Sequence, residues 1–111
     1  MQALDSNDQA TALRFAHVAL PPDATECEPW VLNAGEWRRF FLVREWNIGG
    51  IWVSVAGDQS EHGDVRRWMH VGGEDRCKGS DRRALIAALQ DAGRLLDSLN
   101  APTASRRSQA S

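Results

Sequence analysis

Apolar and polar positions alternate with a period of two through the middle of this chain, and with a period between three and four near its end. Alternation at period two sends successive side chains to opposite faces of a strand. In residues 12–20 (ALRFAHVAL), Leu13, Phe15, His17 and Ala19 share one side, and Arg14, Ala16, Val18 and Leu20 the other. Pro21-Pro22-Asp23 ends that candidate strand. PWVL (29–32) is a short candidate before the turn-like Asn33-Ala34-Gly35. WRRFFLVREW (37–46) and IWVSVA (51–56) flank Asn47-Ile48-Gly49-Gly50, a hairpin connection. GDQSEHG (57–63) reads as a solvated loop, and DVRRWMHV (64–71) as the next strand, stopped by Gly72-Gly73. The last element is a helix. Leu85, Leu89, Ala92, Leu96 and Leu99 recur at helical spacing and form one apolar stripe, with Ser80 or Asp81 available as its cap and Asn100 and Pro102 as its end. Such a stripe needs a sheet to cover it. The elements therefore predict an α+β domain: an antiparallel sheet of four to five strands with one C-terminal helix packed on one face.

A helix on one face leaves the other uncovered. Ile51, Val53 and Val55 make a core side of their strand, which sends Trp52, Ser54 and Ala56 outward. In DVRRWMHV the core side is Val65, Met69 and Val71, interrupted by Arg67, and Arg66, Trp68 and His70 face out. With Phe41 and Val43 inward, Arg38, Phe40, Leu42, Arg44 and Trp46 also face out. The prediction is an aromatic, arginine-edged face of Trp46, Trp52, Trp68, Arg44, Arg66 and His70. Three readings compete for it: cover by residues 12–32 with their acids on its arginines, a protein interface (self-association included), or single-stranded nucleic acid stacking on Trp and Arg.

Length and composition narrow the choice. The 111 residues suffice for one compact domain, read as residues 12–100 between disordered tails at 1–11 and 101–111. Net charge is −2, so the chain is no polycation. Six acids stand against one base up to Glu36, whereas nine bases stand against seven acids from Trp37 to Arg83. Twelve of the thirteen basic residues are arginine, the cation that stacks on aromatics and pairs bidentately with carboxylates. No apolar run reaches the ~20 residues of a membrane span and no leader pattern opens the chain, so the reading is cytoplasmic and reduced, which gives a Cys27–Cys77 disulfide little support.

Candidate chemistry is sparse. Asp58, Glu61, His62 and Asp64 lie in one loop but not at the alternate positions of a calcium loop. Cys27, His62, His70 and Cys77 lack the close ligand pairs of a structural zinc site. Gly72-Gly73-Glu74-Asp75 resembles the Gly-Gly-acid-acid turn of cyclic-dinucleotide synthases, without their longer scaffold, and is read as a strand-ending turn. No phosphate loop, dinucleotide fingerprint or nucleophile elbow occurs, Ser54 has no placed base, and His17 reads as a packed or partly exposed histidine and not a general base. No enzyme and no cofactor are expected.

The run GD-V-R-R-W (63–68) with the following RRALIAALQDAGRLLDSL (82–99) resembles small uncharacterised proteins of actinobacteria and their phages, over residues 50–99. That resemblance implies no activity and carries no functional residue across. The expectation is a non-enzymatic protein-interaction module, a homodimer or a small regulatory protein of a phage or mobile element, with single-stranded nucleic acid as the alternative ligand of the same face.

Overall fold

In a computed structural model of the chain, which describes residues 6–101, the elements run α1 (Ser6–Arg14), β1 (Glu26–Cys27), β2 (Val31–Asn33), β3 (Glu36–Ile48), β4 (Ile51–Ser60), β5 (Val65–Gly73) and, after a 3-10 turn at Gly79–Asp81, α2 (Arg82–Asn100). The strands form one antiparallel sheet in the order β1-β3-β4-β5, with β2 also on β3. Glu26 lies opposite Leu42 and Val31 opposite Arg38, so two short strands share the outer edge of one long one. The architecture is the expected α+β sheet with a C-terminal helix on one face. Residues 1–5 and 102–111, which include most of the expected tails, lie outside the described residues.

The contacts gather into two compact units. One comprises residues up to Val43 with Ala56–Arg66, and the other Arg44–Val55 with residues from Arg67 on.

In the first unit, Glu61 donates its N–H to the Trp37 carbonyl at 2.9 Å, which sets these residues opposite each other. Odd positions of β3 thus share a side with odd positions of β4: Arg39 Nε donates to Gln59 Oε1 at 2.8 Å, and a Cβ at Gly57 would strike Phe41. Onto this side folds the N-terminal segment. Phe15, 6% exposed, stacks on Trp30 at 4.8 Å and Trp37 at 5.9 Å, and the Arg39 guanidinium lies 4.6 Å over Trp30. Arg39 also donates to the Val18 carbonyl and Gln59 to the Ala19 carbonyl, so one half-buried and one buried polar side chain hold a loop that has no ladder of its own.

That segment corrects the expected strand at 12–20 and the expected disorder of residues 6–11. Ser6–Arg14 is helix, followed by a turn, with the Thr11 hydroxyl donating back to the Asn7 carbonyl and Val18 N–H to the Phe15 carbonyl. The alternation in ALRFAHVAL never becomes a buried face, because only Phe15 is buried while Leu13 stays 78% exposed. A short apolar alternation is compatible with a helix end as well as a strand, and one aromatic anchor decides between them.

The second correction concerns GDQSEHG. Gly57–Ser60 continue β4, and Asp58, Gln59 and Ser60 are 2%, 3% and 0% exposed. The turn is confined to residues 61–64, where the Ser60 hydroxyl accepts the N–H groups of His62 and Asp64.

In the second unit, Gly49 (φ +57°) and Gly50 (φ +88°) form the two-residue turn between β3 and β4. Two consecutive positive φ angles define the turn type that matches strand twist and places Ile48 opposite Ile51. Ile51, Val53 and Val55 are buried, and α2 supplies Ala88 and Ala92, 3% and 0% exposed. Small residues let the helix backbone approach a sheet closely, while the expected leucines at 85, 89, 96 and 99 are half-buried around them. Asp81 stands at the N-cap position, but its side chain makes no cap bond; its carboxylate lies against Gly49, where any Cβ would collide with it.

The two registers disagree by one residue. Near the turn, even positions of β3 share a side with odd positions of β4, whereas beside Trp37 odd shares with odd. β3 therefore carries one extra residue, a bulge. Its burial alternates until the adjacent Arg44 and Glu45, both exposed, and resumes with half-buried Trp46 and Ile48 and exposed Glu45 and Asn47.

Candidate binding face

Trp52 and Ser54 stand on the side of β4 away from Ile51, Val53 and Val55. Glu74 donates its N–H to the Gly50 carbonyl at 3.1 Å, which sets even positions of β5 beside even positions of β4. Trp68 and His70 therefore share the face of Trp52 and Ser54. Trp52 is 49% exposed, His70 is exposed and Trp68 is half-buried; Ser54, between these side chains, is 9% exposed. The His70 ring lies over Gly72, with Nε2 3.2 Å from where a Cβ would be. Of the residues singled out from sequence, Trp52, Trp68 and His70 lie on one side of the sheet.

Trp46 and Arg44 are not. With Ile48 opposite Ile51, Trp46 falls opposite Val53, on the α2 side of the strand and across the sheet from Trp52. The expected outward placement of Trp46 fails because the bulge inverts parity between Val43 and Trp46. Arg44 keeps Trp46 company: its guanidinium carbon sits 4.6 Å from the ring centroid.

Arg66, in the first unit, has a structural partner. Its Nε and NH2 donate to the two oxygens of Asp58 at 3.0 and 2.6 Å, and Arg38 NH1 donates to the same carboxylate at 2.9 Å. The Asp58 side chain is 3% exposed, against 17% for Arg38 and 62% for Arg66. Arg38 also lies 3.5 Å from Glu36. The hydrogen bond to Asp58, and then its charge, hold the Arg66 guanidinium above its ordinary value. Sequence reading placed Asp58 in a solvated loop and missed its pairing with the two arginines. The signal was the outward parity of Arg38 and Arg66, which calls for a carboxylate between them on the intervening strand.

Residues 12–32 do not cover this surface in the first unit: Phe15, Val18, Ala19 and Trp30 pack on the Trp37, Arg39 and Gln59 side, through stacking and carbonyl bonds. His17 shares an open cleft with Glu61 and His62, but the Glu61 carboxylate accepts from the Trp37 N–H and lies 3.4 Å from His62 Nε2. Both cysteines are free thiols; burial pushes the Cys27 thiol up, against a smaller opposite pull from Arg39. Among the described residues no three His, Cys, Asp or Glu side chains gather to hold a metal ion, and no helix is long and apolar enough to cross a membrane.

No protein-family model, curated protein or solved structure matches this chain.

Proposed function

We propose that the chain is a non-enzymatic interaction module that binds protein through the Trp52, Ser54, Trp68 and His70 face. The observation that carries this is a tryptophan held 49% exposed on a sheet surface beside a second tryptophan and a histidine. Large aromatic side chains with a polar edge are the residues that dominate binding energy once desolvated by a partner. Single-stranded nucleic acid would stack on the same rings, but it needs cations beside them for its phosphates. Arg66 is committed to Asp58 and Arg44 to Trp46, and the net charge is −2, so protein is the favoured ligand.

A photo-crosslinking residue at position 52, activated in the native host, tests the reading. The expected adducts are destroyed by protease and spared by nuclease, and are absent when the same group replaces Asp91 on exposed helix surface. Adducts destroyed by nuclease, or none at all, overturn it.

A further inference from the structure

Within the first unit, residues of α1 and the turn after it meet β1 and the β1–β2 connection around a cleft of about 260 Å³. Phe15 and Trp30, both buried, give it aromatic walls, and Arg39 also lines it. Register decides which charge points in. Cys27 lies opposite Phe41, and Glu28 donates its N–H to the Phe40 carbonyl. The Cys27 thiol therefore shares the Arg39 side of the sheet, and the Glu28 carboxylate takes the other. Among the lining residues Arg39 is the one charged side chain on the cleft's side. Burial holds the Cys27 thiol above its ordinary value, so it stays neutral beside the guanidinium. Arg39 is fixed before any ligand arrives: Nε is bonded to Gln59, Nη2 to the Val18 carbonyl, and the plane stacks on Trp30. Among the described residues no oxygen accepts from Nη1.

We propose that this cleft binds a small aromatic carboxylate, its ring against Phe15 and Trp30 and its carboxylate on Arg39. This goes beyond the open-face reading and does not depend on it. Charge selects the ligand class. A cation is disfavoured, because the guanidinium groups of Arg14 and Arg39 already lie 4.9 and 4.6 Å from the Phe15 and Trp30 ring centroids. A phosphate dianion would leave one charge unneutralised among apolar walls, whereas one guanidinium matches one carboxylate. A purely apolar ligand would cover the Nη1 donors and leave them without water or partner. The volume is small for a ligand site and suits one or two rings.

Phenylacetate is the probe, and phenylacetamide its neutral counterpart. Titrated into the isotope-labelled full chain, phenylacetate is expected to move the amide signals of Phe15, Ala16, Val18, Cys27, Glu28 and Trp30 and to leave the Trp52 indole signal in place. Phenylacetamide, which cannot form the charge-assisted bond, should bind about tenfold more weakly or worse. Ala16→Trp adds a ring at an exposed position lining the cleft without touching Arg39, and should weaken phenylacetate binding by about tenfold or more. Arg39→Gln should do the same, and Ala16→Trp decides alone if that variant does not fold. No saturable shift up to about 10 mM phenylacetate overturns the assignment, since a built site holds a ligand of this size more tightly. An amide that binds as well as the acid, or binding that survives either folded variant, overturns it too. Trp52→Ala should leave phenylacetate binding unchanged, so this inference and the open-face reading fail separately.

Discussion

The two ends of β4 are equally buried and chemically opposite. Ile51, Val53 and Val55 are 6%, 0% and 0% exposed, and Asp58, Gln59 and Ser60 are 2%, 3% and 0%. The apolar end is held by area removed from water, which needs no particular partner. The polar end is held by partners: Asp58 by Arg38 and Arg66, Gln59 by Arg39 and the Ala19 carbonyl, Ser60 by the N–H groups of His62 and Asp64. No buried side-chain polar atom among the described residues is left without a partner. Burial of polar groups is tolerated on that condition alone. The lesson is that hydropathy finds the first kind of core, and only the pairing register finds the second.

The sharpest way to break this comparison is Asp58→Ala. It leaves two guanidinium groups facing each other without a carboxylate, and should lower the unfolding free energy by about 3 kcal/mol, the scale for removing one member of a buried ion pair. A fall in urea midpoint worth less than ~1 kcal/mol would mean the polar end holds little. Val55→Ala at the apolar end should cost about 2 kcal/mol through lost transfer and a residual cavity, read from the same titration. Gln59→Leu keeps the volume but strands Arg39 and the Ala19 carbonyl; a loss of about 1–2 kcal/mol is expected, with faster amide exchange across residues 15–20. Smallest is Gly49→Ala at the turn. With φ at +57° and Asp81 in the space a Cβ would take, it should cost about 1 kcal/mol in thermal unfolding.

Much of the fold was legible because its signals are local. The leucine stripe of α2, the glycine pair between β3 and β4, and the alternation in IWVSVA each carry their structure in a few adjacent residues. The face of Trp52, Trp68 and His70 was legible for the same reason, since period two alone sets their side of the strand. Trp46 was not, because a bulge at Arg44 and Glu45 leaves no mark in a run that is apolar on both parities. Asp58 was not, because the residues that make its burial tolerable sit twenty positions before it and eight after it. Phe15 was misread because a lone anchor on a helix end imitates a strand's alternation when its neighbours are also apolar.

The central claim, that the Trp52 face is open in the free chain and closed by a protein partner, is tested most directly by oxidative footprinting of Trp52 in the purified chain and in intact host cells. The account predicts heavy labelling of Trp52 in dilute purified protein and strong protection in cells, with Leu13 labelled alike in both. Equal labelling of Trp52 in the two settings would contradict it.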